Sequence, residues 1–349
     1  MKIVKITNHC CFRLSKEAIA LQNLGHEVHV ITQKISAFAG KFDSILYYSH
    51  QDQLIEAIKL HGDADVFHAH NEPCWFVNLT KAIYPNIPVV LDVHDSMLIR
   101  YPEDCKDPNA VRISVDERDN MQLADGLVFV SEPMADICRK TFNLEQPYTI
   151  LHSYVPKELY RIDAFRWIGG VVYEGRVDIP ENMAPHSQFF SYCDYRELAK
   201  SLAEMGIQLF MFAPNRDIDE MTKLYDGNAI FQTPVNPTEL IRAIGSHNYG
   251  ILGNLTIHED WKHAMPNKLF DYLAAGLPII AINAPLAGKF VEEHGFGMNI
   301  TDPTEIPRRW AEHRKFRKNI AQYRYEWCME NHIHKVTDLY KELGCRIKS

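Results

Sequence analysis

Residues 266–281, PNKLFDYLAAGLPIIA, hold the densest chemistry in the chain. Lys268 puts a positive charge in the first turn of a predicted helix, where unpaired N–H groups and the helix dipole already favour an anion. A phosphate fits such a site. Asp271, one turn further on, can accept hydrogen bonds from sugar hydroxyls, much as an acidic residue holds a ribose in dinucleotide sites. Pro266 suits the first helical turn, Leu269, Phe270, Leu273 and Ala274 recur at helical spacing, and Gly276 stops the helix before the buried strand Ile279–Ala281.

A second group lies at strand ends. The apolar run PVVLDVHD (88–95) releases His94 and Asp95, and a neutral imidazole there can hydrogen-bond a sugar hydroxyl or share a proton with Asp95. Tying down the following loop is the other role open to His94. The strand DVFHAH (65–70) ends in Asn71 and Glu72; ligands of open α/β sheets sit beyond the carboxyl ends of strands, so His70, Asn71 and Glu72 are candidates to line an acceptor pocket. His68 and His70 share a strand face, but two histidines without a third ligand at a familiar spacing read as core and rim residues. Asp63-Ala64-Asp65 spells a DxD that precedes a strand instead of following one. His258, Glu259 and His263 would approach a metal-ligand spacing only if their loop were helical. No metal is expected.

These residues need a parallel sheet behind them. Strand 1–7, helix 15–24 with Ser15 as a cap, and strand 27–32 form a βαβ unit. Its first loop, Asn8 to Arg13, lacks glycine; Arg13 either reaches into the ligand cleft or sits in a loop closed by Phe12. A helix is predicted near 53–60 and an irregular segment over 96–112. Glu117 opens a helix towards Ala124, followed by strand 125–131, helix 133–141 and strand 148–152. The charged stretch 156–167 reads as a hinge. GGVVYEGRV (169–177) restarts the pattern and delivers Gly175 and Arg176, whose guanidinium suits phosphate oxygens. A long loop (178–194), helix 195–205, strands 208–212, 230–234 and 249–252, and helices 237–244 and 288–294 complete a second α/β half, and the chain is helical from 303.

The stretch 266–281 resembles the signature of retaining glycosyltransferases of the two-domain GT-B fold, the glycogen-synthase-like group (family 4-like). The strand-end His94, the segments 117–131 and 169–176, and the GHEV turn at 25–28 are similar to that group as well. The resemblance implies an α/β GT-B fold: two Rossmann-like domains with parallel sheets facing a central cleft, an acceptor-side domain at 1–160, a donor domain at 168–325, and a C-terminal helix, 326–349, crossing back to the first domain. It implies sugar transfer from a nucleotide-diphosphate sugar to a hydroxyl-bearing acceptor, with retention and no required cofactor. Gly175, Arg176, Asn267, Lys268 and Asp271 would bind the donor. His94, Asp95 and His263 would be catalytic, with His263 standing where the group usually has a carboxylate. Arg13, His70, Asn71, Glu72 and Glu117 would face the acceptor.

Composition is ordinary for a soluble globular protein: 349 residues, 46% hydrophobic and 23% charged, are enough for two cores. A net charge of −8 argues against a chain that mainly grips nucleic acid backbone. The basic and aromatic residues over 308–327 still suit a weak contact with a membrane surface or nucleic acid. No apolar run is long enough to span a membrane, and eight irregularly spaced cysteines read as reduced thiols of a cytoplasmic protein. Three alternatives share the expected architecture: a sugar-nucleotide epimerase, a non-catalytic nucleotide-sugar-binding protein, and a glycosyltransferase acting on DNA bases.

Overall fold

Short runs of β-branched and aliphatic residues make the strands, and amphipathic segments between them make the crossovers. The computed structural model describes residues 1–35, 41–70, 74–100, 108–160, 168–179, 181, 193–214 and 216–345. Asn71 and Glu72 lie outside the described residues, as does most of the predicted loop 178–194. The chain divides into two units, one of Met1–Pro156 with Met329–Ser349 and one of Lys157–Cys328.

In the first unit the described strands are β1 (Lys2–Cys10), β2 (Glu27–Ile35), β3 (Ser44–Tyr47), β4 (Val66–His70), β5 (Val89–Val93), β6 (Gly126–Phe129) and β7 (Tyr148–Ile150). They form one parallel sheet in the order β3-β2-β1-β4-β5-β6-β7. The order reverses between β1 and β4, the place where open α/β sheets bind ligands. Val4, Ile6, Phe67, Leu91, Leu127 and Phe129 fill the core, as expected of strands buried on both faces. Helix His334–Glu342 belongs to this unit despite its distance in sequence.

The second unit repeats the plan with β8 (Val171–Glu174), β9 (Leu209–Phe212), β10 (Ala229–Phe231), β11 (Tyr249–Gly253), β12 (Ile279–Ile282) and β13 (Gly297–Ile300), parallel in the order β10-β9-β8-β11-β12-β13. Its switch point lies between β8 and β11. Gly250 is required on β11, because a Cβ there would stand 2.6 Å from the buried Tyr272 ring. The Tyr272 hydroxyl in turn donates to the carbonyl of Ile251 at 3.1 Å, fixing the helix Asn267–Ala275 against β11.

Several boundaries differ from the sequence reading. The first helix begins at Phe12 rather than Ser15, and β1 runs on to Cys10. Met97–Arg100 and the segment from Pro108 are helical where an irregular stretch was expected, so Glu117 sits inside helix Pro108–Leu123 instead of opening it. Glu259–His263 is a short helix that periodicity did not reveal. β3 also went unread, since SILY offers too few residues for a pattern.

Candidate functional site

The switch point of the first unit carries a buried cluster of charge. Lys5 on β1 stands beside His68 on β4 in the sheet register, and His70 stands beside Asp92 on β5. The first helix adds Arg13 and Glu17, one turn apart on the face that packs on the sheet. All six side chains are at most 2% exposed. Arg13 grips both oxygens of Asp92, at 3.0 and 3.1 Å, and donates to the carbonyl of Leu151 at 2.7 Å. Lys5 Nζ lies 2.8 Å from Glu17 Oε2 and 2.8 Å from His70 Nε2. His94, just past β5, puts Nε2 3.3 Å from Asp92 Oδ2.

Electrostatics sort these groups. Burial alone would raise the Asp92 carboxyl, but Arg13 and then His94 hold it well below the usual range. Burial also disfavours a His94 imidazolium, yet Asp92 outweighs it and pushes the ring up to about 10. His94 is therefore charged at neutral pH, which corrects the expected neutral imidazole, and Asp92 is the carboxylate that holds it so. His68 and His70 are held well below their ordinary value by burial and then by Lys5. Burial raises Glu17 against the pull of Lys5.

Three acceptor-side assignments change. Arg13 is committed to Asp92, Leu151 and Glu17, the last at 3.2 Å, so its guanidinium braces β5. His70 is 1% exposed and lies within the cluster instead of at a pocket rim. Glu117 is buried and accepts from the Ser96 hydroxyl and the Met97 N–H, each at 3.2 Å, tying down the turn after β5. Glu17, His68, His70 and Asp92 bring ligand atoms within 4.8 Å of one another, the arrangement of a metal site. Lys5 Nζ stands among them at hydrogen-bond distance and supplies the cation, so the cluster fits an ammonium better than a metal ion. Sequence reasoning missed Lys5, Glu17 and Asp92, although a lysine inside the apolar run Ile3–Ile6 was a signal.

The second unit gathers most of the donor-side residues. Gly175 follows β8 with φ +124°, a conformation that favours glycine, and a Cβ there would stand 3.5 Å from Lys268 Nζ. Pro266 caps the helix Asn267–Ala275 with extended backbone and no side-chain hydrogen bond, and Gly276 closes it in the left-handed region. Lys268 Nζ hangs 4.9 Å from the Tyr173 ring and 5.4 Å from the Trp261 ring, so two aromatic faces hold the ammonium. Asn267 is exposed and Asp271 half-buried on the same helix. Arg176 is more than half exposed and paired with Asp178. His263 ends the short helix Glu259–His263, its Nε2 4.0 Å from Glu259. Among the described residues, the cysteines are free thiols and no helix is long and apolar enough to cross a membrane.

Comparison with known proteins adds to this geometry. Residues 16–158 match the family model Glycosyltransferase Family 4, and residues 189–329 match Glucosyltransferase 3-like, C-terminal domain. Sucrose-phosphate synthase from Thermosynechococcus elongatus is similar in structure with a TM-score of 0.68 at 14% identity, covering 99% of each chain. WaaG, a glycosyltransferase involved in lipopolysaccharide biosynthesis, gives 0.65 at 14% identity over 97% of this chain and 99% of its own. An α-glucosyltransferase solved with UDP and a 13-mer DNA containing an HMU base gives 0.66 at 13% identity, over 98% and 99%. No curated protein sequence matches. With a glycosyltransferase model matching each unit and the same fold along nearly the whole chain, this protein is a glycosyltransferase of the GT-B fold whose N-terminal unit matches the family 4 model.

Proposed function

We propose that the enzyme transfers a sugar from a nucleotide-diphosphate donor to an acceptor hydroxyl, with retention of configuration and without an essential metal. The observation that carries this reading is the Lys268 ammonium, held by Tyr173 and Trp261 beside Gly175 at the open start of a helix. A fixed cation, a close backbone approach and free helix N–H groups are what a departing diphosphate needs as negative charge develops on it. Arg176 adds a second cation by exchanging Asp178 for phosphate, and Asp271 holds the ribose. With His94 charged, it donates a hydrogen bond to a sugar hydroxyl. Two structural neighbours were solved with UDP-glucose, the Anabaena protein HepE and an α-glucosyltransferase, which makes UDP-sugars the first donors to try.

A DNA acceptor has support from the DNA-bound neighbour and the basic segment 308–327. Part of that basic charge is already engaged: Arg309 pairs with Glu312, Arg317 donates to the carbonyl of His247, and Arg324 donates to the carbonyl of Ala274. A small acceptor is the better reading. The test is a thermal-shift panel of nucleotide diphosphates and UDP-sugars on the wild type and on Lys268→Ala with Arg176→Ala. A ligand at a hundred times its Kd stabilises the native state by roughly 2.7 kcal/mol. A shift with UDP that vanishes in the double variant is expected; no shift with any nucleotide would overturn the donor assignment.

A further inference from the structure

Lys5 lies inside β1 with three groups around its ammonium: Glu17 Oε2 at 2.8 Å, His70 Nε2 at 2.8 Å and His68 Nδ1 at 3.3 Å. An ammonium has three N–H donors and no acceptor. Each neighbour therefore has to accept, which a carboxylate oxygen does in any case and an imidazole nitrogen does only where it carries no proton. His70 Nε2 thus bears a lone pair, and the proton of the neutral ring is on Nδ1. A charged ring would point a second N–H at the ammonium. Burial and then Lys5 keep His70 neutral in the same sense.

The Nδ1 proton has a destination. Nδ1 lies 3.4 Å from Asp92 Oδ2 and 3.3 Å from His94 Nε2. His94 is charged, so its Nε2 is itself a donor, 3.3 Å from the same Asp92 oxygen. The His70 N–H therefore goes to Asp92, whose Oδ2 accepts from His70, from His94 and from Arg13 Nε, the last at 3.0 Å. The other His70 tautomer would turn a lone pair on that carboxylate and draw the His94 N–H away from it. Glu17 favours that other tautomer, since its Oε2 lies 3.5 Å from His70 Nε2 and would take an N–H there if Lys5 did not occupy it. The remaining ring against His70 is His68, with centroids 4.5 Å apart.

We propose that Lys5 is a positioning residue for sugar transfer: by keeping the proton off His70 Nε2 it directs the His70 Nδ1–H to Asp92, and so fixes the carboxylate that orients His94 towards the donor sugar. Lys5 is fully buried and acts through His70 and Asp92. The place of His94 at the sugar rests on the donor reading proposed above; the tautomer of His70 does not.

The test is NMR of the intact protein labelled with heavy nitrogen at histidine, with the His70 signals assigned by their loss in His70→Gln. Ring nitrogens with and without a proton resonate in separate ranges, so the tautomer is read directly. The wild type is expected to show a proton on His70 Nδ1 and none on Nε2. Lys5→Met leaves Glu17 Oε2 as the polar neighbour of Nε2 and is expected to put a proton there. Hydrolysis of UDP-glucose without an acceptor, measured on the same two proteins, is expected to fall at least about tenfold in kcat with KM within about twofold, because a misplaced group costs rate more than binding. A wild-type His70 protonated on Nε2 would overturn the proposal, as would a Lys5→Met protein whose Nε2 stays bare or whose kcat is unchanged. If Lys5→Met does not fold, the wild-type spectrum decides alone. Failure of the donor reading shows separately, as a wild type with the expected tautomer that hydrolyses no UDP-glucose, and the pair of spectra then decides what Lys5 does.

Discussion

Replacing Asp92 by Asn keeps the side-chain shape and removes one buried negative charge. Arg13 then loses the two bonds at 3.0 and 3.1 Å that pair it with β5, and His94 loses the carboxylate that keeps it protonated. Breaking a buried ion pair on one side costs about 3–5 kcal/mol. Arg13 keeps Glu17 at 3.2 Å and the Leu151 carbonyl at 2.7 Å, so the lower end, about 3 kcal/mol, is expected. Hydrogen exchange read by mass spectrometry tests this within one sample. Peptides from β4 and β5 should lose about that much protection, while β11 and β12, which belong to the other unit, should not change. The His94 ring, followed by NMR, should titrate well below its wild-type value of about 10. Asp92→Leu combined with Arg13→Met should cost less than Asp92→Asn alone, because the buried Arg13 guanidinium is then not left without its carboxylate. A loss below about 1 kcal/mol in β4 and β5, with His94 unmoved, would refute the pairing described above.

Two further outcomes follow from other buried groups. Tyr340→Phe removes the hydroxyl 2.6 Å from His68 Nδ1 and should lower protection of β4 by about 1–2 kcal/mol, measured in the same exchange experiment. His61 is held down to about 4 by burial, then by Lys2 and His29, so the unfolded chain binds the extra proton first as pH falls. Its contribution is complete above about pH 6.5 and is lost progressively towards pH 4; urea midpoints of wild type minus His61→Leu should slope over that window and be flat above it.

The sheets and the donor-side helix were legible because each is a local pattern. Ile279–Ile282, Val89–Val93 and the spacing from Leu269 to Ala274 carry their periodicity in consecutive residues, and Gly276 marks the helix end. The charged cluster was not legible, since its members come from four separate elements: Glu17 looks like a surface residue of its helix, Lys5 is a lone charge in an apolar run, and Arg13 reads as a loop residue. Only the register that sets Lys5 beside His68, and the helix face that turns Arg13 inward, bring them together. His94 was found from its place at a strand end, but its charge state depends on Asp92, two residues back, whose Oδ2 lies 3.3 Å from its Nε2. The Trp261 contact with Lys268 escaped because its short helix lacks enough residues for a period to show.

The contact between Tyr340 and His68 spans 272 residues, and it sets an order on how the chain is made. Residues 329–345 leave the ribosome only after the whole second unit, so the first sheet must wait, with Lys5 and His68 lacking their Tyr340 cover, while a complete α/β unit is synthesised and folds. Contacts this distant pay their loop-closure entropy late, and a sheet still missing a buried neighbour is the kind of species prone to aggregation. A chain stopped before residue 329 would hold its second unit entire and its first unit unfinished.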